Sequence, residues 1–229
     1  MSNLGWLRNE GQEQFNTLLD IGDNLSTFEQ VLFLESADLD QDGLTDVIAI
    51  ANARVVWFRN NGDKSFSKKR IIDIRNGEEH SSQIIAIDID KDGDKDVVFN
   101  NIETEEIYWS ENDGVGNFSP RNTIVENARS LTFTIVDIDE DGDDDLLVPN
   151  DDNSTVELYV NDGTEIFTIH DSPFISNANT IWAVDFMDLN NDSFKEIISV
   201  SFLEGLSISR NINDSISVSY THLTLPTKA

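Results

Sequence analysis

The chain contains no cysteine, which excludes disulfide scaffolds, thiolate metal sites and cysteine nucleophiles and leaves the redox compartment open. Basic residues are scarce: 15 Lys and Arg stand against 44 Asp and Glu in 229 residues, a formal net charge of −29. A balance of that sign repels phosphate backbones and anionic lipid headgroups, so neither nucleic acid nor a bare membrane surface is expected as a partner. Long apolar runs are missing too. None approaches the roughly 18 residues that span a bilayer, so direct membrane insertion is not expected. The opening MSNLGWLRNEGQEQF has neither a basic stretch nor an apolar one, so it does not read as a secretory signal; either export by that route does not occur or the natural start lies upstream. What is present is apolar content of 38%, with four Trp and thirteen Phe. That suits a folded core better than a disordered acidic tail, and the length suits one domain.

The acids are spaced, and the spacing is a repeat. Four segments align without gaps: Asp38–Asp46 (DLDQDGLTD), Asp88–Asp96 (DIDKDGDKD), Asp137–Asp145 (DIDEDGDDD) and Asp188–Glu196 (DLNNDSFKE), starting 50, 49 and 51 residues apart. A second motif keeps the same period: Gly5–Phe15 (GWLRNEGQEQF), Val56–Phe66 (VWFRNNGDKSF), Tyr108–Phe118 (YWSENDGVGNF) and Leu158–Phe167 (LYVNDGTEIF). Each copy carries an aromatic residue, an acidic or amide residue before a turn Gly, and Phe four residues after that Gly. Trp6, Trp57, Trp109 and Tyr159 are taken as equivalent, and therefore as packing residues of the repeat rather than a sugar-binding platform.

Each period reads as four short strands. In the second, the apolar run Gln83–Ile87 fits a strand buried on both faces, and the acidic loop follows directly. Then come Val97–Asn100, Glu106–Ser110, the turn at Asn112–Gly114 and an extended segment from Phe118 to about Val125. No comparable stretch has the period of an amphipathic helix. Four strands in a repeat of this length are the signature of an all-β propeller blade. Half a repeat precedes the first loop; after the fourth come Glu196–Ser201, Leu206–Arg210 and a degenerate strand near Ile216. The expectation is a β-propeller of four-stranded blades over residues 1–218, with four blades and a leading half blade. It would be part of a larger propeller or, alternatively, a five-bladed ring with one incomplete blade. Residues 219–229 (SYTHLTLPTKA) fit neither motif and resemble translated sequencing adapter rather than native repeat.

In Asp-x-Asp-x-Asp-Gly-x-x-Asp the carboxylates at positions 1, 3, 5 and 9 converge on one point, with the carbonyl of position 7 facing the same way, and Gly at position 6 allows a positive φ without a Cβ penalty. Like charges held this close repel unless a cation neutralises them. All-oxygen ligands from a flexible loop favour Ca²⁺, and the absence of nearby His or Cys argues against zinc and copper. The first site would use Asp38, Asp40, Asp42, the Leu44 carbonyl and Asp46; the second Asp88, Asp90, Asp92, the Asp94 carbonyl and Asp96; the third Asp137, Asp139, Asp141, the Asp143 carbonyl and Asp145. The fourth, through Asp188, Asn190, Asp192, the Phe194 carbonyl and Glu196, loses an acid at position 3 and the Gly at position 6, so it is expected to bind more weakly.

These loops, with their downstream aromatic strand and Asn-Asp-Gly turn, resemble the FG-GAP or VCBS repeats of integrin-α-like propellers, in a form close to that of secreted bacterial members, over about residues 5–218. The resemblance implies an extracellular or surface-exposed propeller, usually of about seven blades, with structural Ca²⁺ at the rim of one face. It also implies a role in adhesion or in recognition of a protein or glycan. The alternative is an accessory or catalytic propeller of a secreted polysaccharide-degrading enzyme. No catalytic residue is singled out: every close carboxylate pair belongs to a loop, and His80 and His170 stand apart from any nucleophile motif. The segments before the inner strands, Thr27–Gln30, Glu78–Ser81, Ala128–Ser130 and Asn179–Trp182, differ between repeats and are where a face-binding site would vary, with Trp182 its best aromatic candidate.

Overall fold

The computed structural model describes residues 4–9, 15–21, 31–51, 54–67, 70–74, 81–150, 152, 154–164, 166–171, 181–189, 191, 195–201, 205–212 and 215–217. Among them there is no helix, and every named element is a strand. The chain divides into two compact units, Met1–Thr123 and Ile124–Ala229.

In the first unit, β1 (Gly5–Asn9) and β2 (Phe15–Asp20) form a two-stranded antiparallel pair, followed by the sheet β3 (Val31–Ala37), β4 (Asp46–Ala51), β5 (Arg54–Phe58) and β6 (Arg70–Ile74) in that order. The next sheet is β7 (Ile84–Ile87), β8 (Asp96–Asn101), β9 (Glu106–Ser110) and β10 (Asn122–Val125), whose last strand runs across the division. The second unit holds β11 (Thr134–Val136), β12 (Asp145–Asn150), β13 (Thr155–Asn161) and β14 (Phe167–Ile169), then β15 (Ile181–Met187), β16 (Glu196–Ser201), β17 (Gly205–Ile212) and β18 (Ser215–Ser217). Four four-stranded antiparallel blades and a leading half blade are therefore in place, each an up-and-down meander with its acidic loop between the first and second strands.

Burial assigns the strands differently from the sequence. The innermost strand is not sealed on both faces: in β7 only Ile84 is buried while Ile85, Ala86 and Ile87 are half-buried, and β3 alternates, with Leu32 46% and Leu34 50% exposed. The second strand is the sealed one, and β8 and β12 are buried along their whole length. The reason shows at β4, whose side chains alternate between two cores. Ile48 and Ile50 join Val55, Trp57, Ile84 and Phe99 between the first two blades, while Ala49 and Ala51 join Leu4, Ile21 and Phe58 beneath the half blade. In the second unit Leu147, Val156 and Leu158 meet Ile181, Val184 and Ile197 in the same manner. Each fully buried Val, Leu, Ile or Phe side chain among these contributes about 1.5–3 kcal/mol.

The second motif builds a hairpin. Asn60 bridges Phe66 and Asn112 bridges Phe118, so the Phe belongs to the closed turn. Beyond it Pro120 has no N–H to pair, and β10 starts only at Asn122, later than the sequence suggests. Phe118 packs edge-on against Trp57 of the preceding blade, centroids 6.3 Å apart, and the Arg70 guanidinium lies 4.8 Å from the same ring. Gly116, at φ +78°, passes so close that a Cβ there would stand 2.3 Å from the Trp57 ring. Trp57 and Trp109 are buried packing residues. Tyr159 is not their counterpart: Trp57 pairs with Ile48 and Trp109 with Val98, each two residues past the closing acid, and the residue so paired in the third blade is Leu158, opposite Leu147. The fourth copy of the motif, Leu158–Phe167, is one residue shorter, which hides this shift.

Candidate metal centres

The loops are folded by their own carboxylates. At position 5, Asp42, Asp92 and Asp141 accept from the N–H of position 7 at 2.9, 3.1 and 2.9 Å. Asp38 accepts from Asp42 and Gly43 N–H at 3.2 and 2.8 Å, and Asp137 accepts from Gly142 N–H at 3.1 Å. Position 6 has the expected positive φ: 85° at Gly43, 104° at Gly93 and 102° at Gly142. Position 4 is also left-handed, at Gln41, Lys91, Glu140 and Asn191 (φ 56–61°), a second bend that composition at that place does not advertise. Position 2 carries an apolar side chain that anchors the loop, Leu39 and Ile89 being fully buried.

The closing acid is a staple. Asp46 Oδ2 accepts from Leu39 N–H (3.2 Å) and its Oδ1 from Asn60 N–H (2.7 Å). Asp96 takes Ile89 (3.2 Å) and Asn112 (2.8 Å), and Asp145 takes Ile138 (3.0 Å) and Asn161 (2.9 Å). The same asparagines reach back with their side-chain amides to the carbonyl of position 8, Asn60 to Thr45 and Asn112 to Lys95 at 3.0 and 2.9 Å, Asn161 to Asp144 at 3.4 Å. Sequence reasoning treated loop and turn as two motifs in phase; they are one clasp. Their shared period was the signal. Asn112 does more, donating also to Leu39 O of the preceding loop at 2.8 Å, while Gln41 of that loop donates to Gly93 O at 3.2 Å.

Of the expected ligands, oxygens of Asp38, Asp40 and Asp42, of Asp88, Asp90 and Asp96, and of Asp137, Asp139 and Asp145 gather in three groups, the atoms of each within 4.8 Å of one another. Asp46 stands outside the first group, and Asp92 and Asp141 outside theirs, with an oxygen on the position 7 N–H. At position 7 the side chains are packed: Leu44, Asp94 and Asp143 lie under the Gly of the following turn, where a Cβ on Gly114 or Gly163 would meet a carboxylate oxygen at 2.7 or 2.6 Å. In the fourth loop Asp188 accepts from Asn191 N–H (2.6 Å) and Glu196, buried, from Leu189 N–H (3.0 Å). Asn190, Asp192 and Phe194 lie outside the described residues, as do His80, segments 27–30, 78–80 and 179–180, and the tail 219–229.

The loops crowd carboxylates together. Burial pushes the carboxyls of Asp46, Asp90 and Asp139 upward, that of Asp96 to about 7, and those of Asp94 and Asp145 to about 6. Neighbouring carboxylates add to the effect. The Trp57 and Trp109 indoles oppose it at Asp46 and Asp96 without meeting hydrogen-bond geometry. One buried oxygen in each group, Asp40 Oδ1, Asp88 Oδ1 and Asp137 Oδ1, has no hydrogen-bond partner. An orphaned, desolvated carboxylate oxygen is costly unless a cation completes it, and the all-carboxylate donor set fits a hard cation. The three groups could each hold one.

The FG-GAP-like repeat model matches residues 38–99, 88–148 and 137–199, each match running from one acidic loop through the next. The chain belongs to the FG-GAP-like repeat family. Curated proteins include no match to it. Among solved structures, this FG-GAP-like chain is similar in fold to an Agrocybe aegerita lectin, at TM-score 0.55 and 20% identity over 78% of the chain. It spans about half, 49%, of that lectin's length. Looser likenesses are to a Photorhabdus luminescens Tc holotoxin pore (TM-score 0.49, 16% identity, 76% of this chain, 9% of that one) and to the V. cholerae biofilm matrix protein Bap1 (0.46, 16%, 77%, 26%).

Proposed function

We propose that this chain is a Ca²⁺-stabilised recognition module of an extracellular or cell-surface protein, binding a glycan or protein ligand without catalysis. The observation that carries the metal half is the repetition of a buried, unpartnered carboxylate oxygen in three loops built alike. Carboxylate oxygens on a flexible loop suit Ca²⁺. The ion would neutralise each group and lock the turn that its closing Asp staples, so it would act as structure and not as reagent.

The recognition half rests on the blade surface. In β15 a bulge between Ile181 and Ala183 re-aims Trp182, which is 46% exposed and whose carbonyl accepts from Thr132 Oγ1 at 2.7 Å. Leu131, in the corresponding place of the preceding blade, is 46% exposed as well. An aromatic face beside an apolar neighbour suits stacking on a sugar ring. The Agrocybe aegerita lectin, described for its specific recognition of non-reducing terminal N-acetylglucosamine, makes glycans the first ligand class to screen. On a glycan array, binding is expected in millimolar Ca²⁺, lost in EDTA, and reduced at least tenfold in a Trp182→Ala variant that melts like the parent. Unchanged binding by that variant, or equal binding in EDTA, would contradict the proposal.

A further inference from the structure

We infer that Arg59 is a built-in counter-cation of the first acidic loop, competing with the divalent ion and making this loop the weakest binder of the three and the least dependent on metal for its shape. The inference rests on the reading of the loops as Ca²⁺ sites. Arg59 Nε donates to Asp40 Oδ2, and Nη2 donates to Asp42 Oδ2 at 2.6 Å, so two of the three gathered carboxylates share one guanidinium. That group stays charged at any working pH and its planar fork suits two acceptors; here the bond to Asp40 and its charge raise the Arg59 pKa further.

The chain geometry makes this specific to one blade. Arg59 immediately precedes Asn60, whose backbone and amide fasten Asp46 and Thr45, so the turn that closes the loop also delivers the cation. The residues in that place in the next two blades are Glu111 and Val160. One adds negative charge and the other none, so that place delivers no cation to the second or third loop. Asp40 Oδ1 remains unpartnered beside the ion pair, which leaves the ion a foothold from which to contend with the guanidinium.

Calorimetric Ca²⁺ titration of the chelator-treated full chain tests this. Arg59→Gln is expected to tighten one site about tenfold, since it removes a positive charge within a Debye length of the ion, and to leave the other sites unchanged. It should also lower the melting temperature in EDTA. Arg59→Lys, which keeps the charge, should stay near the parent, and Asp38→Asn added to Arg59→Gln should abolish the tightened site, assigning it to the first loop. If Ca²⁺ binds at the other loops and Arg59→Gln leaves every affinity unchanged, or weakens one, this inference falls alone. If neither protein binds Ca²⁺, the calcium reading falls and takes the inference with it.

Discussion

Chelation at about pH 8 is expected to lower the melting temperature by about 15 °C or more, and the gap between the Ca²⁺ and EDTA curves is expected to shrink as the pH falls to about 5. A ligand that binds only the folded state at about a hundred times its Kd adds about 2.7 kcal/mol per site. Three sites would add about 8 kcal/mol, at about 2–4 °C per kcal/mol for a domain of this size. The pH dependence follows from the raised carboxyls. Asp96 at about 7 and Asp94 and Asp145 at about 6 exceed the ordinary 3.8 because burial disfavours their charge. In the ion-free protein the folded state therefore binds more protons than the unfolded state between about pH 4 and pH 7. Their stabilisation is full below the ordinary carboxylate range and is lost as the pH rises through about 6 to 7. Ca²⁺ must displace those protons, so its benefit grows in the same window. Asp63, Asp113 and Asp162, held low by bonds to Ser65, Asn117 and Thr164, titrate below it. An ion-free protein that melts higher at pH 8 than at pH 5, or a gap that does not change with pH, would refute this.

Asn112→Ala is expected to destabilise the protein by about 3 kcal/mol or more, the second large effect. Its amide nitrogen donates to Leu39 O and Lys95 O at 2.8 and 2.9 Å, its Oδ1 accepts from Gly116 N–H at 3.2 Å, and the residue is 1% exposed. Truncation removes the partner of the Leu39 carbonyl and of the Gly116 N–H in buried surroundings, each loss carrying a penalty of about 1–3 kcal/mol, and that of the Lys95 carbonyl in a partly buried one. Because the carbonyls belong to different loops, the variant should also loosen both, and chelation should then alter its melting less than it alters the parent's. Chemical denaturation with and without EDTA measures both; a loss below about 1 kcal/mol would count against the clasp. Asn61→Ala, at an exposed turn with a single side-chain bond to Ser65, is the control and should be nearly silent.

Both halves of the blade were legible in the sequence because each recurs: the acidic loops and the Asn-x-Gly turns hold one period, and the short apolar runs between them mark the strands. What recurs within a blade, such as the convergence of Asp88 and Asp90 or the bend at Gly93, could be inferred from spacing alone. Contacts that join one segment to another could not. The Asn112 bond to Leu39 O and the Phe118 ring against Trp57 depend on how neighbouring sheets pack, and the delivery of Arg59 onto Asp40 on how the turn folds over the loop of its own blade, none of which spacing encodes. The closing acids looked like ligands of the same kind as the others. Only the structure gives them two backbone donors each; Asp96 and Asp145 keep an oxygen in their groups as well, while Asp46 serves the turn and stands apart from the group formed by Asp38, Asp40 and Asp42. The shortened fourth copy of the motif concealed that Leu158 and not Tyr159 fills the Trp57 place.

Bound calcium can be counted directly, by elemental analysis of the chain after equilibrium dialysis at about pH 8 against a small excess of Ca²⁺. With three carboxylate groups gathered to within 4.8 Å, at least two tightly held Ca²⁺ per chain are expected, rising to three in Arg59→Gln at the same free concentration. Fewer than one Ca²⁺ per folded chain would contradict the metal-centred reading of these loops.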